Sequence, residues 1–270
     1  MKGRTDLAIE TIAAAPPVRG QVRQRDYRVG SVNVNEIEIA DAAAEAETGR
    51  KIGKYYTVDW DETVPDADVH TAVRDILRAF TKGMQNILVL GLGNEQITPD
   101  ALGPKTAERV IATRHIEKDM AESIGLKGLM PVAVLAPGVL GQTGIETLEI
   151  IQGTAQRVHP SALIVVDALA AAELPRLCRT IQICNTGISP GSGVGNSRRE
   201  ISQSSMGIPV IALGVPTVVD LKSIVNSRDN MIVTHRDIDM RIDRASELLA
   251  HAINCALQPG LDEDLLRIIV

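Results

Sequence analysis

The sequence predicts an α/β protein: a doubly wound, largely parallel sheet in an α/β/α sandwich, with a β-rich appendage at its N-terminal end. Apolar runs at residues 87–91 and 162–167 end at Gly91 and Asp167, and a third at 209–215 follows a glycine-rich loop. From Asn86 onward strand-like and helix-like stretches alternate, the pattern of a sheet with helices on both faces. Aromatic residues are 2% of the chain against 44% hydrophobic, so the core must be aliphatic, which suits strands buried on both sides. If the three strands run parallel, their carboxyl ends meet at one rim, where open α/β sheets bind ligands.

Residues 1–20 are polar, then Ala-rich, then Pro16-Pro17, and read as an extended arm. Residues 28–39 alternate, with Val29, Val32, Val34, Ile37 and Ile39 separated by polar residues, and suggest a hairpin turning near Asn33-Asn35. An Ala/Glu-rich helix over 41–48 stops at Gly49, and 54–60 is a strand holding most of the aromatics. Val69, Ala72, Val73, Ile76, Leu77 and Phe80 recur at helical spacing over 68–82, and Gly83 ends that helix. Strand 87–91 then leads to a helix near 104–114, and strand 132–136 leads through Pro137-Gly138 to a helix over 145–158. Strands 162–167, 180–184 and 209–215 follow, and a last amphipathic helix covers 235–257. The whole of 1–270 is read as a single domain, with the appendage at 20–60 and the α/β core at 86–258.

The net charge of −6 argues against direct nucleic-acid binding. No apolar run reaches the ~18 residues of a membrane span, and Met1-Lys2-Gly3-Arg4 lacks the apolar core of a secretion signal. Three cysteines without C-x-x-C spacing point to a reducing compartment, so a cytoplasmic protein is expected. The five histidines are scattered along the chain without metal-ligand spacing, so neither a histidine cluster, a zinc site nor any cofactor is expected.

Gly91-Leu92-Gly93 opens like a dinucleotide fingerprint, but Gln96 replaces its third glycine and Glu95 would repel a phosphate. The loop 187–195 has four glycines and Pro190 within nine residues, without the lysine of a phosphate loop or the spacing of a nucleophile elbow. It is either a structural turn or a surface offering backbone N–H groups to an extended peptide or to an oxyanion, with Gly191, Ser192, Gly193 and Gly195 as the candidate substrate-binding residues. Asp167 ends an apolar strand, and Asp100 follows Pro99 in the loop after the first sheet strand. Two carboxyls at one rim can share a proton and do general acid–base work. On spacing alone the plainer reading leads: Asp100 caps the following helix, and Asp167 bonds backbone amides.

Four stretches in order carry a resemblance to a known family: Arg4-Thr5-Asp6-Leu7-Ala8-Ile9-Glu10; Gly91-Leu92-Gly93-Asn94 with residues 98–105; Pro137-Gly138-Val139 through Thr147; and Val166-Asp167-Ala168-Leu169-Ala170 through the glycine-rich loop to Asp220. With Lys54-Tyr55-Tyr56 they resemble the germination proteases of spore-forming bacteria, across nearly the whole chain. The resemblance implies a fold similar to hydrogenase-maturation peptidases and an atypical aspartic endopeptidase that degrades small acid-soluble spore proteins in the spore core. It implies that Asp100 and Asp167 are the catalytic acids. It implies a zymogen that clips itself at an acidic–apolar–Ala–x–Glu pattern, which Asp6-Leu7-Ala8-Ile9-Glu10 matches, so cleavage between Asp6 and Leu7 would remove residues 1–6. It also implies a homotetramer. The chain departs from the family pattern in its six-residue pro-segment, in the direct connection over 221–230 where relatives often carry an insertion, and at Ala172, where a basic residue is usual. Two alternatives stay open: a metal-dependent maturation-type peptidase, and a non-catalytic binder of spore proteins.

Overall fold

The structure is a computed structural model that describes residues 4–15, 20–61, 63–123, 128–192, 195, 198–225 and 231–262. In chain order its elements are α1 Ala8–Ala14, β1 Val22–Val29, β2 Val32–Ile39, α2 Ala42–Thr48, β3 Gly53–Asp59, α3 Asp66–Thr81, β4 Ile87–Gly91, α4 Leu102–Arg109, α5 Lys118–Ser123 and β5 Val132–Leu135. They continue with α6 Leu140–Thr143, α7 Thr147–Val158, β6 Ala162–Ala171, β7 Thr180–Cys184, α8 Gln203–Met206, β8 Val210–Asp220, α9 Leu221–Ile224, β9 Ile232–Val233 and α10 Ile238–Leu257. None of the described helices is long and apolar enough to cross a membrane.

One sheet runs in the order β1-β2-β3-β7-β8-β6-β4-β5, with β9 paired to β8. Strands β5, β4, β6 and β8 are mutually parallel; β4 ends at Gly91, level with Val166, and β6 and β8 run on past that rim to Ala171 and Asp220. Strand β7 runs antiparallel to β8, and β3 antiparallel to β7. The N-terminal β-rich part is thus continuous with the core. Its strands prolong the core sheet through the pairing of Tyr55–Asp59 with Thr180–Cys184.

Period-two alternation sorts the side chains between two layers. From β4, Ile87 and Val89 enter a large cluster with α3 and α10, including Val69, Val73, Leu77, Leu249 and Ile253. Leu88 and Leu90 point the other way, to Leu148 and Ile151 of α7. Strand β6 repeats the division, with Ile164 and Val166 on the first side and Leu163 and Val165 on the second. Both faces of the parallel strands are covered, as a doubly wound sheet requires.

Two local expectations are corrected. The hairpin turns at Gly30-Ser31, where Val29 pairs Val32 and Gly30 takes φ +57°, the left-handed conformation of a two-residue loop. Asn33 and Asn35 lie inside β2 and bond across to Arg28 and Asp26 of β1. The N-terminal arm is not extended throughout: residues 8–14 are helical, and Leu7 and Ala8 are fully buried against the body.

Candidate active site

Asp100 and Asp167 come together at the rim. Asp167 stands near the middle of the long strand β6, level with Gly214 of β8 and one residue past the Gly91–Val166 pairing with β4. Its side chain is buried, and Oδ1 accepts from the amide of Ala168 at 2.9 Å. Asp100 ends a single 3₁₀ turn, Thr98–Asp100, that leads into α4. Its Oδ2 accepts from the Asn94 amide at 2.8 Å, and no side chain caps α4. The capping role is thus not what Asp100 does; its carboxylate reaches back to the loop that follows β4.

Close backbone packing sets this position. A Cβ on Gly91 would lie 2.1 Å from the Gly103 carbonyl oxygen, and a Cβ on Gly103 would lie 2.1 Å from that of Leu92. The two glycines let the first turn of α4 sit directly on the end of β4 and the middle of β6. Gly93, at φ +116°, lets the chain pass the Asp100 carbonyl, which its own Cβ would meet at 2.1 Å.

Both acids line a cavity of about 400 Å³, together with Asp6, Asn94, Gly138, Gly191 and Arg198. Burial pushes the Asp167 carboxyl well above the usual carboxylate range, and the charges of Asp100 and Asp6 push it further; the Ala168 amide opposes them. Burial also raises Asp100, against the lowering effect of the Asn94 amide. The pair is thus unequal. Both carboxyls are raised, Asp167 the more strongly, and only Asp167 carries the added effect of neighbouring acids.

The N-terminal segment lies across this rim. The Asp6 amide donates to the Ala170 carbonyl at 2.9 Å, and its Oδ2 accepts from the Ala170 amide at 2.8 Å. Ser192 Oγ donates to Asp6 Oδ1 at 2.6 Å. Gln182 Nε2 donates to the Asp6 carbonyl at 2.9 Å, while Gln182 Oε1 accepts from the Ala8 amide. Glu10 is also buried. Its carboxylate accepts from the amides of Ala172 and Glu173 at 2.8 and 2.9 Å and from Thr5 Oγ1, with Arg176 Nε 3.8 Å away. Arg50 fastens the same segment through the Thr5 carbonyl and Thr11 Oγ1.

Of the glycine-rich loop, Gly191 lines the acid cavity, Ser192 touches Asp6, and Gly195 packs on Arg4; Gly193 falls outside the described residues. The loop therefore meets the N-terminal segment. Gln182 and Arg50 were not singled out from the sequence. Gln182 had a readable signal, a polar residue inside the apolar strand Thr180-Ile181-Gln182-Ile183-Cys184. The expectation that the histidines form no cluster is overturned: His70 and His251 stack with ring centroids 4.2 Å apart, beside Cys255.

A family model described as germination protease matches residues 18–229. A relative of that name from Clostridium tetani is 36% identical over 320 residues, which cover 97% of each chain. Another from Bacillus velezensis is 40% identical over 281 residues, covering 97% of this chain and 76% of the relative. An alignment of 320 residues against a chain of 270 means that the first relative carries segments absent here. Among solved structures, a NiFe-hydrogenase maturation protease from Thermococcus kodakarensis is similar at 18% identity and a TM-score of 0.39, covering 66% of this chain and 98% of that one.

Proposed function

The chain belongs to the germination protease family, and from that premise we propose that it is an endopeptidase of small acid-soluble spore proteins that activates water between Asp100 and Asp167. The observation that carries this reading is the shared cavity, in which one carboxyl is buried and raised further by the charge of the other.

In the proposed reaction Asp167 is protonated and donates a hydrogen bond to the carbonyl oxygen of the scissile peptide. Asp100 is ionised and takes a proton from water as the water oxygen attacks the carbonyl carbon. The tetrahedral adduct collapses with the C–N bond breaking, the proton on Asp100 passes to the leaving nitrogen, and Asp167 keeps its own. Each step is general acid–base catalysis by a positioned group, typically about 10²–10⁴-fold per group. No metal or cofactor is invoked.

We propose further that the chain is made as a zymogen processed between Asp6 and Leu7. Asp6 lines the acid cavity, and its carbonyl, the one that would be attacked, is held by Gln182. The acidic residue is bonded by Ala170 and Ser192, the apolar residue and Ala8 are buried, and Glu10 is bonded by two amides. Each defining position of the acidic–apolar–Ala–x–Glu pattern thus has its own contact. A homotetramer in the cytoplasm of the spore completes the proposal, on the strength of the resemblance.

The test is proteolysis of a purified small acid-soluble spore protein by full-length protein and by protein starting at Leu7, each as wild type and Asp100→Asn. Cleavage on the carboxyl side of an acidic residue, lost in the variant, is the expected result. Cleavage by Asp100→Asn at the wild-type rate contradicts the acid pair. Binding with no product from either wild-type form would make the protein a binder instead.

A further inference from the structure

We propose that His70, His251 and Cys255 form a binding site for a borderline-soft divalent cation of the zinc type, joining α3 to α10. Their donor atoms all lie within 4.8 Å of one another. None of the three lines either the acid cavity or the neighbouring cavity beneath the glycine-rich loop, so the site is separate from the catalytic one.

The geometry arises from helix periodicity and packing. His251 and Cys255 are four residues apart on α10, so their side chains share one face, a turn apart. His70 lies on the buried face of α3, next to Val69, and the packing of the two helices stacks its ring on that of His251, with 25° between the planes. Cys255 Sγ is 3.8 Å from His251 Nδ1 and 3.9 Å from Nε2. Zinc bound tetrahedrally by nitrogen at about 2.0 Å and sulfur at about 2.3 Å separates those ligands by about 3.6 Å. The sulfur–nitrogen spacing is thus close to a coordinating one, and turning the imidazoles about their χ angles brings the second nitrogen in.

The donor set suits the ion. Two neutral imidazoles and one thiolate are characteristic zinc ligands, and three protein ligands leave the fourth position to water. On binding, the Cys255 thiol releases its proton to solvent, and sulfur and two nitrogens each donate a lone pair to the cation. Cys255 and His70 are buried and His251 is half-buried, so the cluster reaches solvent chiefly at His251 among the described residues. Cys184 provides a contrast: its sulfur engages the Thr186 hydroxyl and the Gly187 carbonyl instead. Because α10 also packs against α4 and the turn that carries Asp100, the cation would brace the helix layer beneath the catalytic loop.

The experiment uses untagged full-length protein, stripped with chelator and titrated with Co²⁺. The expected result is a thiolate-to-cobalt charge-transfer absorption that saturates at one equivalent and is displaced by Zn²⁺. Zn²⁺ at about 100-fold over its Kd should raise Tm by about 5–10 °C. Cys255→Ser should lose the absorption. His251→Gln should weaken binding by more than the about 10–100-fold that loss of an outer-shell partner costs. Cys178→Ser should keep both signals. Wild-type protein that shows no thiolate absorption, or absorption that persists in Cys255→Ser, overturns the proposal.

Discussion

Replacing Gly103 with alanine would set a methyl group against two strands at once. The added Cβ would lie 2.1 Å from the Leu92 carbonyl oxygen, 2.4 Å from the Leu92 nitrogen and 2.6 Å from the Val166 carbonyl oxygen. All three are backbone atoms, of β6 and of the residue that follows β4, so no rotamer change relieves the clash. Restoring an ordinary contact of 3.4 Å requires the first turn of α4 to retreat by about 1.3 Å. Overpacking costs about 1–3 kcal/mol, and immovable neighbours put this case near about 3. For a chain of this size that corresponds to a fall in Tm of about 6–12 °C. Asp100 is only two residues from α4, so its carboxyl moves too, and a misplacement of about 1 Å costs on the order of 100-fold in kcat. The assay is a thermal melt by circular dichroism beside kcat/KM on a peptide spanning the Asp6–Leu7 sequence. Gly153→Ala is the control. Gly153 is inside α7 with nothing within 4 Å of an added Cβ, so alanine should stabilise the protein by about 0.5–1 kcal/mol and leave activity unchanged. A Gly103→Ala protein that melts within about 2 °C of wild type with full activity would refute this account of how Asp100 is positioned.

Asp167→Asn should lower activity by about 10²–10⁴-fold yet stabilise the fold. The folded-state pKa of Asp167 is raised above the unfolded value, so wild-type stability falls as pH rises from the unfolded pKa through the folded one. The variant's advantage should therefore be absent near pH 3, which is below both values, and largest in alkaline solution; melts across pH that run parallel for both proteins would contradict the burial argument. Ser192→Ala removes a hydrogen bond to the Asp6 carboxylate, a contact worth about 1.5–3 kcal/mol, and should slow processing at Asp6–Leu7 by about 10–100-fold. Mass spectrometry of the N-terminus over time reads this, and an unchanged rate would mean that Ser192 does not hold the acid during reaction.

The layers of the fold were legible because burial enforces periodicity. Ile87 and Val89 must face one layer and Leu88 and Leu90 the other, and the strand pattern shows it. What misled were residues whose local chemistry is decided by distant partners. Asn33 and Asn35 look like turn formers, but Arg28 and Asp26 on the neighbouring strand give them partners within β2. Residues 8–14 lie before Pro16-Pro17 and read as an arm, yet Leu7 and Ala8 anchor them as a helix. The antiparallel β3–β7 pairing, which merges the N-terminal strands into the sheet, joins segments more than a hundred residues apart and leaves no mark in either. At the site, spacing alone favoured structural roles for Asp100 and Asp167, and only the set of ordered motifs singled them out as a pair. Gln182, a lone amide in an apolar strand, could have been noticed. The meeting of His70 with His251 could not, although the four-residue spacing of His251 and Cys255 was open to view.

The central claim is that Asp100 and Asp167 act as one catalytic unit, and a double-mutant cycle on kcat/KM tests it most directly. Protein starting at Leu7 is prepared as wild type, Asp100→Asn, Asp167→Asn and the double variant, each confirmed folded by its melt. Each single variant should lose about 10²–10⁴-fold, and the double should lose no more than the worse single, as expected for groups that work on one proton inventory. A single variant retaining more than about a tenth of wild-type activity, or losses that multiply in the double variant, would contradict it.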